Sequence, residues 1–136
     1  MNQASEWQGV VEMVRRVRTR KGREQSGYFS IEGIRLHERA LNAGLCVQQA
    51  IVTIGFQQDS SARVQMLLAN LGDRGCRIEV VPDNVMREII GERDLGQILG
   101  LIRMPDRPHL FDIINKKMKW PLLLVAVDVK DPGNVG

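Results

Sequence analysis

The six residues Asp131-Pro132-Gly133-Asn134-Val135-Gly136 are the densest source of possible chemistry in this chain. Proline presets φ for the second position of a tight turn and glycine supplies the positive φ of the third, so Asp131 to Asn134 suits a type II turn. The apolar run Leu122 to Val127 delivers that turn, and ligands of open α/β sheets bind beyond the carboxyl ends of strands. An ordinary strand-to-helix turn is the alternative, although the Asn134 amide and the small residues around it leave backbone open where a helix would begin. The second source is charge. Residues 1–24 hold six basic side chains (Arg15, Arg16, Arg18, Arg20, Lys21, Arg23) against three acidic ones, and the remainder holds 13 of each sign, so the whole net charge of +3 is N-terminal. Clustered cations release condensed counterions when they meet phosphates, which drives sequence-independent nucleic-acid binding; a solvated helix face is the alternative. Cys46, Cys76, His37 and His109 have no metal-ligand spacing and cannot make a disulfide scaffold, so no metal is expected.

The elements that must hold these residues follow from periodicity. Trp7, Val10, Val11, Val14 and Val17 recur at helical spacing behind Ser5 as N-cap, predicting an amphipathic helix over residues 5–20 that ends at Gly22, with Arg16, Arg20 and Arg23 opposite the valines. Ser26-Gly27 turns the chain into a strand, Tyr28 to Ile31, that leads to Glu32-Gly33. A helix follows through Leu41, with Arg35 and Arg39 on its outer side. Val47 to Ile54 reads as a buried strand, and Ser60-Ser61 opens a helix through Leu71 with Gly72 as its C-cap. Cys76, Ile78 and Val80 alternate as a strand, Pro82-Asp83 starts a helix bearing Met86, Ile89 and Ile90, and Ile98 to Ile102 forms a further strand. Strands alternating with helices predict an α/β domain with helices on both sheet faces.

A length of 136 residues with 43% hydrophobic and 26% charged side chains fits one globular domain plus the opening of another. The longest apolar run, Trp120 to Val127, is eight residues, and the start Met1 to Glu6 is polar. Neither a spanning helix nor a secretory signal is expected, which predicts a soluble, cytoplasmic protein without a membrane partner. The texture changes at Met104-Pro105-Asp106-Arg107-Pro108. The expected divisions are a domain over 1–105, a linker over 106–119 and the start of a second domain over 120–136. A fully apolar strand belongs at the centre of a parallel sheet, so Leu122 to Val127 as the last strand implies a piece of a longer protein.

The run Leu124 to Gly136, read with its Asp131-Pro132-Gly133-Asn134 turn, resembles the first motif of the SpoU/TrmH group of SPOUT RNA 2′-O-ribose methyltransferases. The upstream chain is similar to that group's substrate-binding domain, where a basic helix end of the form Lys/Arg-x-x-Arg precedes a strand ending in Phe-x-x-Glu-Gly. Here Arg20, Lys21 and Arg23 precede Phe29-Ser30-Ile31-Glu32-Gly33, with Arg35 close behind. The resemblance implies an α/β/α sandwich of the ribosomal-protein-like substrate-binding type, followed by the truncated start of a SPOUT domain. The trefoil knot of that domain holds S-adenosyl-L-methionine outside these residues. It implies Asn134 as a catalytic residue shaping the pocket near the target ribose, with Asp131, Pro132, Gly133 and Gly136 as its structural turn. It also implies Arg16, Arg20, Lys21, Arg23 and Arg35 as RNA contacts, and Glu32 and Gly33 as a structural motif. The implied partners are RNA, ribosomal by family analogy, and a second copy through the catalytic domain; residues 1–136 alone would be inactive. A non-enzymatic RNA-binding module of ribosomal-protein type is the alternative. Where many relatives carry Pro-Gln-Gly-Ile, this chain has Leu95-Gly96-Gln97-Ile98.

Beside the resemblance, Glu32 is placed to accept backbone N–H bonds at the mouth of the following helix, with an RNA contact as the alternative. His37, on the semi-apolar side of its helix, reads as a packed or partly exposed histidine. Alternation puts Tyr28 and Phe29 on opposite sheet faces, which makes Phe29 core and Tyr28 a candidate platform for base stacking.

Overall fold

A computed structural model describes residues 6–91, 97–106, 108–115, 122 and 124–130. The chain forms two compact units, Met1–Met104 and Pro105–Gly136. In the first, α1 (Glu6–Arg16), α2 (Arg20–Ser26), β1 (Tyr28–Glu32), α3 (Ile34–Asn42), β2 (Val47–Thr53), α4 (Ile54–Gln57), α5 (Ala62–Asp73), β3 (Arg77–Val81), α6 (Asp83–Ile90) and β4 (Ile98–Arg103) follow in order. The four strands make one sheet in the order β1-β4-β2-β3. β2 and β3 are parallel, whereas β4 runs antiparallel to both of its neighbours.

Alternation along β4 divides the core. Ile98 and Ile102 face a cluster with Ala40, Leu41, Phe56, Val64, Leu67 and Leu71 from α3, α4 and α5. Leu99 and Leu101 face Val10, Val11, Val14 and Val17 together with Met86, Ile89 and Ile90 of α6. The fold is therefore the expected α/β sandwich. An isolated helix of 11 residues is marginal in water; burying a valine is worth about 1.5–3 kcal/mol, so the valine stripe holds α1 in place. β2 departs from strict alternation at a bulge, where Val47 pairs with Ile102 and Gln49 with Leu101, leaving Gln48 extra. That one-residue shift is why Val47 and Ala50 lie in the same cluster.

Three boundaries differ from the sequence expectation. The first helix stops at Arg16 instead of running to residue 20, and Gly22 lies inside α2 rather than ending a helix. Gly72 is a helical residue of α5, and the left-handed turn falls at Gly75 (φ 80°). The N-cap expectation for Ser5 lies outside the described residues, as do Leu95 and Gly96.

In the second unit, the span expected as a linker contains a short helix, α7 (Leu110–Asn115), with Phe111 exposed. The strand expected over Leu122 to Val127 is not formed at residues 122 and 124–127, whose side chains are exposed. A strand needs a neighbour to satisfy its backbone groups, and none pairs with this run among the described residues.

Candidate nucleic-acid interface

The basic residues gather at the corner between α1 and α2. Past Arg16 the chain leaves the helix, and Thr19 takes up extended backbone (φ −93°, ψ 149°). Its Oγ1 accepts the Gly22 N–H at 3.0 Å and so caps α2. Gly22 approaches the end of α1 so closely that a Cβ there would lie 1.9 Å from the Arg16 carbonyl oxygen. Arg23 completes the corner: its Nη1 donates to the carbonyls of Val17 and Arg18, both at 3.1 Å, which places donors and positive charge just past the C-terminus of α1. Gly27, left-handed at φ 72°, ends α2 and sends its N–H to the Arg23 carbonyl at 2.8 Å.

The arginines of this corner divide by what they hold. Arg15 pairs with Glu88 at 2.6 Å and Arg20 with Glu24 at 2.8 Å. Arg18 donates to the Ile89 carbonyl in the last turn of α6. Arg16 and Lys21 are exposed and have no ion pair among the described residues. One correction concerns Arg23, which was expected to face solvent with the others; it is half-buried because its guanidinium closes the end of α1. Thus Arg16, Arg20, Lys21 and Arg23 come together, whereas Arg35 lies in the first turn of α3, beyond the other end of β1. Glu32 is half-buried at that far end, opposite Leu99, and Gly33 turns the chain at φ 83° with its N–H on the Ile98 carbonyl at 3.0 Å.

A hollow opens beside the corner, lined by Val17, Arg18, Arg23, Phe29, Ser30 and Met104. Met104 N–H donates to the Gly27 carbonyl at 2.7 Å, which ties the end of β4 to the turn after α2. Sequence reasoning passed over Arg18, Ser30 and Met104; only the charge of Arg18 gave a signal. Tyr28 is not a free platform, since its ring packs against the α1 and α6 cluster and its hydroxyl donates to Gln48 Oε1 at 2.7 Å. Asp131, Pro132, Gly133, Asn134 and Gly136 lie outside the described residues.

Two other hollows are visible. One between α1 and α6 is lined by Trp7, Gln8, Val11, Glu12, Arg15 and Val85. The other, between α3 and α5, contains Glu38, Arg63, Met66 and Arg74. Arg63 grips Glu38 through Nε and Nη2 at 2.8 and 2.7 Å, holding that carboxyl below its usual pKa. Burial, with a smaller contribution from Cys46, pushes the Cys76 thiol up to about 12, which leaves it inert at neutral pH. No helix among the described residues is long and apolar enough to cross a membrane.

The sequence model of the MRM3-like substrate-binding domain matches residues 10–99. The fold is similar to a crystal structure of an RNA 2′-O ribose methyltransferase (TM-score 0.63, 30% identity), covering 98% of this chain and 47% of that one. An AdoMet-bound SpoU methyltransferase, AviRb from Streptomyces viridochromogenes, aligns with a TM-score of 0.60 at 18% identity over 82% of this chain and 39% of its own. An rRNA methyltransferase from Sinorhizobium meliloti aligns at 0.58 with 19% identity, over 79% and 37% respectively. No curated protein matches the sequence. The chain spans less than half the length of each of these three solved neighbours.

Proposed function

We propose, from the premise that this chain belongs to the MRM3-like substrate-binding domain family, that it is the RNA-recognition part of an S-adenosyl-L-methionine-dependent RNA ribose 2′-O-methyltransferase acting on ribosomal RNA. The observation that carries this reading is the corner itself: exposed Arg16, Arg20 and Lys21 gathered around a turn that Gly22 and Arg23 fix. RNA phosphates exchange readily with an exposed partner such as Glu24. Arg35, at the far end of β1 in the first turn of α3, is a separate RNA contact in this reading. In the whole protein, Asn134 on the Asp131-Pro132-Gly133 turn, with Gly136 behind it, shapes the pocket at the target ribose, and two copies associate through the catalytic domain. The family's cofactor supplies the methyl group. The three hollows described above do not fit it: the polar side chains of those between α1 and α6 and between α3 and α5 are exposed or already paired, and the one at the corner is cationic and would repel a sulfonium. The role of residues 1–136 is therefore to bind and orient the RNA, which lowers the entropic cost of bringing the ribose to the reacting centre.

The test is a salt titration of binding to a structured RNA. Replacing Arg16, Arg20 and Lys21 together with alanine is expected to weaken binding at least about tenfold at moderate salt and to lower the salt slope by roughly 0.7–0.9 per lost phosphate contact. Thermal stability should change little, because none of the three closes the corner. The control pair, Arg77 and Arg87, is exposed on β3 and α6. Equal losses from both sets would leave the corner a solvated face.

A further inference from the structure

The hollow beside the corner has no role in that reading as it stands. The geometry points to it as the seat of one phosphodiester of the RNA strand, gripped between the guanidinium forks of Arg18 and Arg23, with the adjoining ribose or base against Phe29 and Met104. This rests on the RNA-binding reading and adds to it the place where a single phosphate is held.

Charge is the first argument. Arg15, Arg20 and Arg63 are held by carboxylates, and Arg74, in the hollow between α3 and α5, rests on the Leu41 carbonyl close to the Arg63–Glu38 pair. Arg18 and Arg23 are anchored on backbone carbonyls, of Ile89 and of Val17 and Arg18. A carbonyl fixes a guanidinium without neutralising it. Each fork has five N–H donors, and each is anchored through one terminal nitrogen, so the remaining donors are free to meet two phosphate oxygens side by side. The rotamer entropy of both side chains is lost on folding and need not be lost again on binding.

The lining is the second argument. The hollow has no acidic residue, whereas the other two contain Glu12 and Glu38. Ser30 adds a hydroxyl donor on β1, and half-buried Phe29 and Met104 supply an apolar wall. Its rim is fixed by backbone, through the Met104 to Gly27 hydrogen bond and the left-handed cap at Gly27.

The experiment is fluorescence anisotropy of the full 136-residue chain with a labelled oligouridylate of about 12 nucleotides over a range of KCl concentrations. Three variants are compared, each with its melting curve. Ser30→Asp sets a negative charge in the hollow and leaves both carbonyl anchors in place. It should weaken binding about tenfold and lower the salt slope by about 0.7, one phosphate on a single strand. Arg18→Lys keeps the charge and loses the fork; it should weaken binding about threefold with the slope unchanged, and it carries the test should Ser30→Asp fail to fold. Arg16→Ala with Lys21→Ala reports the corner outside the hollow. If that pair weakens binding while Ser30→Asp and Arg18→Lys bind like wild type, the hollow is overturned and the RNA reading stands. If the unsubstituted chain does not bind, or no variant changes binding, the RNA reading fails and takes the hollow with it.

Discussion

The imidazole of His37 is fully buried, with Nδ1 2.7 Å from the Gly33 carbonyl oxygen. That acceptor requires the proton on Nδ1, which leaves Nε2 bare, and Nε2 has no hydrogen-bond partner among the described residues. It lies against Gly100, where a Cβ would stand 2.5 Å away. Burial lowers the His37 pKa below its usual value, and the Gly33 hydrogen bond offsets this only in part. The unfolded chain therefore takes up a proton on this group before the folded chain does. Stability is fully present above the ordinary imidazole pKa and declines as pH falls below it, toward the depressed folded value. Between about pH 7.5 and about pH 5.5 urea unfolding should show a loss of up to about 1 kcal/mol, within the limit of about 1.4 kcal/mol per pH unit for one proton. His37→Asn should flatten that dependence; an unchanged slope in the variant would assign it to another group. From its helical position His37 reads as packed or partly exposed, and its full burial was not legible because the Gly100 against which it packs is distant along the chain. Arg23 was less legible. Its charge suggested solvent, and only the carbonyls of Val17 and Arg18 within reach explain its burial.

The break between α1 and α2 shows where periodicity misleads. Val17 continues the apolar stripe of Val10, Val11 and Val14, so the pattern alone gives no reason to stop at Arg16. Gly22 then reads as a terminator because glycine usually ends helices. In the structure its missing side chain serves a tertiary contact, the approach to the Arg16 carbonyl, which spacing does not encode. Two glycine substitutions separate these roles. Gly22→Ala should destabilise the chain by about 2–3 kcal/mol, since its Cβ meets backbone that cannot rotate away. Gly9→Ala, inside α1 with nothing within 4 Å of the added Cβ, should stabilise it by about 0.5–1 kcal/mol through helix propensity. Urea midpoints at fixed m-value check both; a neutral Gly22→Ala would show that the corner is looser than drawn. The bulge at Gln48 was equally hidden, because Gln48 and Gln49 stand side by side, both half-buried, and Ala50 to Thr53 are buried on both faces, so no alternation marks the extra residue. The long elements α5 and β4 were readable because their apolar residues fall on the faces the core uses.

At the scale of the molecule, alternating strands and helices were enough to predict a sheet covered on both sides, and the two clusters on either face of β4 have that form. The order β1-β4-β2-β3 was not readable, since pairing is set by contacts between segments far apart in sequence. The apolar run Leu122 to Val127 has the composition of a strand, yet composition cannot supply the neighbour that makes one. Of the candidate site, the basic cluster was legible as charge, while its division into closing, paired and exposed arginines is set by contacts that spacing does not encode. The most direct measurement of the central claim is an amide chemical-shift titration of the labelled 136-residue chain with a structured RNA at low salt. The largest changes should fall on residues 16–30 and Met104, with smaller ones at Arg35 and little at Arg77 or Arg87. Changes centred instead on α5 and β3, or none at saturating RNA, would contradict the assignment of the α1–α2 corner as the RNA-binding surface.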